Sequence, residues 1–238
     1  MAVVPQSRAP PLTLLPWIAH FYTALGAVLA LGAAMAIDRG DFRTAFLAMV
    51  AATFIDATDG WLARTVRVKE RLPHYDGARL DDIVDYLTYV FVPVLLIGKA
   101  GLLPGGWELA IGGAVLLASA YGFGQGDAKV KTDDHYFTGF PSYWNIVALY
   151  LFVWGLSPRL NAAVLLAFAA LVFVPIRYVY PSRTEALKVP TIVLGGAWAL
   201  LILLMVWRLP ALDGPWMWLS LVFPGYYFLL SAWLQCRR

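Results

Sequence analysis

The sequence predicts an all-α, polytopic membrane protein with about eight transmembrane helices. Composition is the first observation. Of 238 residues, 61% are hydrophobic and 14% charged, and the mean hydropathy is +0.68. Soluble domains average about 45–50% apolar and about 25% charged. The second is run length: the apolar stretches come near the roughly 20 residues that cross a bilayer. The third is pattern. The runs are continuously apolar, without the period-two alternation of a barrel wall, so helices are expected. A soluble, disordered, collagen-like or disulfide-built protein is excluded. The single cysteine, Cys236, permits no internal disulfide.

The first run, 12–37, follows a polar, proline-rich start. It is too long for a signal-peptide core, and no short apolar stretch with a small-residue cleavage site precedes it. The second, 42–63, carries Asp56 and Asp59 near its end. The third, 82–103, carries Asp85, with Asp81 and Asp82 at its mouth. Asp82 reads there as a charge stabilising a helix N-terminus. The fourth is 105–123, with Glu108 able to reach the interface. The fifth, 143–156, is short, and the last three are 160–180, 189–207 and 215–235. No repeat or linker divides residues 1–238, so one membrane domain is expected.

Eight spans put both termini on one side of the membrane. With that side inside, 13 of the 18 lysines and arginines lie inside, and only Arg39, Arg43, Lys99, Arg159 and Arg208 lie outside. Basic residues favour the cytoplasmic side. Both termini, the 64–79 loop and the 125–142 loop are therefore expected to face the cytoplasm. Arg67, Lys69 and Arg71 read as anchors at anionic head groups. Asp127, Asp133 and Asp134 read as a solvated loop, and Lys129 and Lys131 as ordinary positive-inside charges.

An aspartate in the bilayer core costs about 2.5–3.5 kcal/mol on insertion scales. Here Asp56, Asp59, Asp81 and Asp85 sit toward the cytoplasmic ends of two spans. Asp56 and Asp59 are three apart, and Asp81 and Asp85 four apart, so each pair shares a helical face. Carboxylates facing one another repel unless cations lie between them. Hard divalent cations suit oxygen ligands, and a two-metal site can clamp a phosphoryl group during in-line displacement. Gly60 and Ala63 would let a ligand approach the helix backbone. Arg64 sits one turn past Gly60 and offers a planar fork to phosphate. Gly77 opens the approach to the third span. No GxxxxGK[ST] loop or GxGxxG turn is present, and no nucleic-acid partner is expected. His20 and His74 lack metal-ligand spacing and read as structural.

The residues Asp56-x2-Asp59-Gly60-x2-Ala63-Arg64-x12-Gly77-x3-Asp81-x3-Asp85 resemble the signature of the CDP-alcohol phosphotransferase family. Eight fixed positions would match by chance at roughly one site in 10⁹–10¹⁰. The resemblance implies a core of six spans and displacement of CMP from a CDP-linked lipid or alcohol. It implies two divalent ions, Mg²⁺ or Mn²⁺, held by Asp56, Asp59, Asp81 and Asp85, with Asp85 as general base. Asp56, Asp59, Gly60, Ala63, Arg64, Gly77 and Asp81 would then line the CDP-diacylglycerol pocket. A homodimer is implied as well.

The 12 residues from Thr65 to Asp76 make a longer spacing than most of that family has. This spacing, and the segment Phe137-Thr138-Gly139-Phe140-Pro141-Ser142-Tyr143-Trp144-Asn145, resemble the bacterial phosphatidylcholine synthase branch. That branch implies choline as acceptor and a multi-pass location in the bacterial inner (cytoplasmic) membrane, with the active site facing the cytoplasm. Choline is a quaternary ammonium, which proteins hold through cation–π attraction. Aromatic belts are ordinary at interfaces. Among the inner-mouth aromatics, Tyr89 is favoured because it lies one turn after Asp85 on the same face. Tyr143 and Trp144 open a span, and Tyr86 adjoins Asp85 in sequence. Serine, glycerol phosphate, inositol and inositol phosphate remain open as acceptors. A cation transporter using the same four aspartates is the reading from another class.

Overall fold

The computed structural model describes residues 14–125, 136–179, 187–210 and 214–236. Asp127, Lys129, Lys131, Asp133 and Asp134 lie outside the described residues. Helices α1 (Leu14–Asp38) and α2 (Phe42–Thr65) form a hairpin. Gly40, at φ +74°, makes the turn. Asp41 then caps α2, its carboxylate accepting from the Thr44 N–H at 3.0 Å. Hydrogen bonds from the Thr44 side chain and then from its N–H hold the Asp41 carboxyl below the usual carboxylate range. The two helices meet through small residues: Ala30, Ala33 and Ala36 of α1 and Ala45 and Ala52 of α2 are buried. Small side chains let helix backbones approach, which is how membrane helices gain packing contacts.

A short turn, α3 (Val68–Arg71), leads to α4 (Gly77–Asp85). The helix continues through a π-helical turn (Tyr86–Phe91) into α5 (Val92–Lys99). The π turn has a local cause. Pro93 offers no N–H to the Tyr89 carbonyl, and its ring would crowd that oxygen in a regular α-helix. The backbone widens instead, and Val92 N–H reaches Leu87 O five residues back. Gly26 of α1 lets Val84 of α4 pack directly on its Cα.

The third span was expected to start at 82, but the helix starts at Gly77. Asp76 is the reason: its carboxylate accepts from the Arg79 N–H at 3.1 Å, which satisfies an end group of the helix. The capping role expected of Asp82 thus belongs to Asp76, and Asp82 sits in the second turn.

Helix α6 (Glu108–Gly124) follows, then strand β1 (Tyr136–Thr138), α7 (Trp144–Trp154) and α8 (Pro158–Val172). The sixth apolar run was expected to be helical to 180. It ends at Val172, because Pro175 cannot continue a helix. The chain instead forms β2 (Arg177–Val179), antiparallel to β1 with Phe137 opposite Tyr178. Helices α9 (Lys188–Arg208), α10 (Gly214–Ser220) and α11 (Val222–Cys236) complete the described chain.

Helices α1, α2 and α9 and the stretch Gly214–Leu234 are long and apolar enough to cross a membrane, and α6, α7 and α8 are shorter apolar helices. Apart from the two three-residue strands, the regular structure among the described residues is helical. The chain is an all-α polytopic membrane protein, and every expected apolar run contains helix.

The β-ladder sets where α7 begins. Gly139 N–H donates to Ile176 O at 2.8 Å, and Phe140 N–H to Leu171 O at 3.1 Å. Trp144 is fully buried, and its indole N–H donates to Ser119 Oγ at 2.7 Å. Gly139 has φ +80°, and a Cβ there would stand 2.5 Å from the Val172 carbonyl oxygen. Gly139→Ala is expected to cost at least about 1–3 kcal/mol from the positive φ alone. For a chain of this size, each kcal/mol lowers the unfolding midpoint by about 2–4 °C. Gly113→Ala is the control, since nothing lies within 4 Å of a Cβ there. Thermal unfolding in detergent that leaves both variants at the wild-type midpoint would refute this account of the 139 turn.

Candidate active site

Two helical segments build the site. The last turns of α2 supply Asp56 and Asp59, and α4 supplies Asp81 and Asp85. The α1 helix packs against both and holds them side by side. One carboxylate oxygen from each of Asp56, Asp81 and Asp85 lies within 4.8 Å of the others. Asp85 is buried, and Asp56 and Asp81 are half-buried. Three like charges at this separation in an apolar bundle need a counter-charge. An all-oxygen, anionic donor set suits a hard divalent ion rather than a soft one. The trio is therefore compatible with a divalent cation.

Asp59 lies outside this trio. It is buried, and its Oδ2 accepts from Thr23 Oγ1 of α1 at 2.7 Å. Thr58, beside it, hydrogen-bonds the Tyr22 hydroxyl at 2.8 Å. Arg64 is exposed, and its guanidinium curls back over Gly60, where a Cβ would stand 3.3 Å from Nη1. Gly60 and Arg64 thus share one face, as their spacing indicated. Ala63 is half-buried. Gly77 has a packing duty that the sequence does not announce. It lies under the His20 ring, and a Cβ there would come 2.6 Å from Cε1. His20 is buried and packs on Tyr75 with ring centroids 4.4 Å apart.

The aromatic residues separate by position. Tyr89 is buried, and its hydroxyl donates to Asp56 Oδ2 at 2.8 Å. Tyr143 lies against it, with ring centroids 6.2 Å apart and planes tilted by 58°. Tyr86 points its hydroxyl to the Leu116 carbonyl at 2.9 Å and packs edge-on against Phe123. Trp144 packs against Phe140 as well as bonding to Ser119. The structure therefore brings Tyr89 and Tyr143 together beside the carboxylates, while Tyr86 and Trp144 have their polar edges engaged with α6.

Three polar residues at the site carried no assignment from sequence: Thr23, Thr53 and Asn145. Asn145 Nδ2 donates to Thr53 Oγ1 at 3.2 Å. Thr53 lies three residues before Asp56, so helical spacing could have flagged it. Thr23 and Asn145 give only the weak signal of a polar residue in an apolar run.

No family model matches the chain. Curated relatives match it over most of its length. A protein of Legionella pneumophila named phosphatidylcholine synthase is 39% identical over 233 residues, covering 93% of this chain and 91% of that protein. A phosphatidylcholine synthase of Pseudomonas aeruginosa is 38% identical over 220 residues, covering 91% of this chain and 92% of its own. One of Rhizobium meliloti is 31% identical over 230 residues, covering 95% and 93%. At these identities, and with nearly the whole length of both partners aligned, the chain belongs to the phosphatidylcholine synthase family.

Proposed function

We propose that this chain is a metal-dependent CDP-alcohol phosphotransferase. It moves the phosphatidyl group of CDP-diacylglycerol to choline and releases CMP. One observation carries this reading: the carboxylates of Asp56, Asp81 and Asp85 converge in a chain that aligns over most of its length with phosphatidylcholine synthases.

Asp56, Asp81 and Asp85, with Asp59 as a fourth ligand, would hold two divalent ions, Mg²⁺ or Mn²⁺. When bound, such ions neutralise the pyrophosphate and stabilise the departing CMP oxygen. The chain's own groups do the rest. Arg64 offers its fork to the pyrophosphate from the Gly60 face. Gly60, Ala63 and Gly77 keep the approach of the cytidine nucleotide open. Asp85 takes the proton from the choline hydroxyl. The oxygen so exposed forms a bond to the phosphorus that carries diacylglycerol. The bond from that phosphorus to the CMP phosphate breaks, CMP leaves, and Asp85 passes its proton to water. The Tyr89 and Tyr143 rings supply π faces for the quaternary ammonium; Tyr86 and Trp144, whose polar edges bond to α6, support them. The site faces the cytoplasm of a bacterial inner membrane, and the chain works as a homodimer.

CMP release by the purified protein in detergent tests this reading. It is expected to need both choline and Mn²⁺ or Mg²⁺, with phosphatidylcholine appearing in step. Release with serine, inositol, inositol phosphate or glycerol phosphate instead would discard the acceptor and keep the metal site. Ion flux in liposomes without CMP release would replace the enzyme by a transporter.

Two further outcomes follow from the carboxylates. Asp85→Asn is expected to lower kcat by about 10²–10⁴; a folded variant with wild-type turnover would remove Asp85 as the base. A chelator is expected to abolish CMP release, and added Mn²⁺ or Mg²⁺ to restore it. Activity that survives exhaustive chelation would sink the metal reading.

A further inference from the structure

A short run of hydrogen bonds ties the start of α7 to the turn of α2 before the carboxylate cluster. Asn145 begins it. Its Oδ1 accepts from the Ile146 N–H at 2.9 Å, which orients the amide so that Nδ2 points away and donates to Thr53 Oγ1 at 3.2 Å. Thr53 Oγ1 in turn donates to the Met49 carbonyl at 3.0 Å, which fixes the contact on α2 one turn before Asp56. From the π turn, the Tyr89 hydroxyl donates to Asp56 Oδ2 at 2.8 Å. Asn145 and Tyr89 are both buried, so water does not readily substitute for either.

A carboxylate on a flexible side chain can rotate, and three of them repel. A donated hydrogen bond counters both effects. It occupies one lone pair of Asp56, restricts the plane of the carboxylate and disperses its charge. Groups that orient a metal ligand in this way set its affinity for the ion. The π turn contributes as well, because Tyr89 lies within it.

We infer that Tyr89 is a positioning residue that holds Asp56 in ligating geometry, and that Asn145, through Thr53, holds the turn of α2 that carries Asp56. This rests on the metal-dependent reading above. It gives the phenolic O–H a task separate from any contact between the Tyr89 ring and the acceptor. It also gives the 137–145 segment a part in the chemistry. Gly139 and Phe140 dock that segment on α8 and β2, and docking delivers Asn145 to Thr53.

Tyr89→Phe keeps the ring and removes only the O–H. Mn²⁺ binding is measured first on the wild type, by electron paramagnetic resonance titration without substrate, and then on the variant. Tyr89→Phe is expected to bind Mn²⁺ about tenfold to a hundredfold more weakly. It should regain turnover at excess Mn²⁺ and show an unchanged KM for choline. Asn145→Ala is expected to weaken Mn²⁺ binding as well, because the turn of α2 that carries Asp56 then loses its tie to α7.

Wild-type Mn²⁺ affinity in Tyr89→Phe overturns the inference. So does a raised KM for choline at unchanged Mn²⁺ affinity, which would place the phenol on the acceptor. If Tyr89→Phe does not elute as folded protein, Asn145→Ala alone decides: weaker Mn²⁺ binding supports the inference, and wild-type affinity overturns it. A wild type that binds no Mn²⁺ fails the metal-dependent reading itself, and is seen before any variant is compared.

Discussion

Like-charge repulsion inside an apolar bundle is the constraint around which this molecule is arranged. Asp56, Asp81 and Asp85 bring carboxylate oxygens within 4.8 Å of one another. At an effective dielectric near 20, each such pair repels by on the order of 3 kcal/mol. Burial adds a desolvation cost to every charge. The neighbouring helices answer with hydroxyl donors. Thr23 of α1 reaches Asp59, and Tyr89 of the π turn reaches Asp56. A bound divalent cation, with which the trio is compatible, would offset the remainder.

That constraint explains how the surrounding helices pack. Gly26 lets Val84 sit on α1, and Gly77 lets the His20 ring lie over the first turn of α4. Both contacts draw α4 toward α1, and so toward α2, which α1 also packs. Larger residues at either glycine would push apart the two helices that carry the carboxylates. The glycine of a signature motif can thus act through helix spacing as well as through open space for a ligand.

The second half of the chain reaches the site through one turn. Pro175 ends α8, the freed backbone pairs with residues 136–138, and Gly139 packs its Cα on the Val172 carbonyl. Trp144 anchors α7 to Ser119 from the other side. Tyr143 and Asn145 flank Trp144 and face Tyr89 and Thr53. The 137–145 segment is thus held in place by its docking on α8 and beside β2.

Much of this was legible in the residue order. Helical spans follow from continuous apolar runs, because a backbone in lipid must satisfy its own hydrogen bonds. The pairing of Asp81 with Asp85 follows from helical periodicity, as does the placing of Arg64 with Gly60, whereas Asp59, which the same rule pairs with Asp56, turns to Thr23. Local chemistry could also have placed the helix start at Asp76 and the helix end before Pro175, although composition alone drew both boundaries too loosely. Tertiary structure decided the rest. It set which carboxylates converge, and it gave Asp59 to Thr23 at 36 residues' separation, Asp56 to Tyr89 at 33 and Thr53 to Asn145 at 92. Periodicity records which face of a helix a residue occupies. It carries no record of which helix that face meets, because the meeting depends on the shapes of all the side chains packed between them.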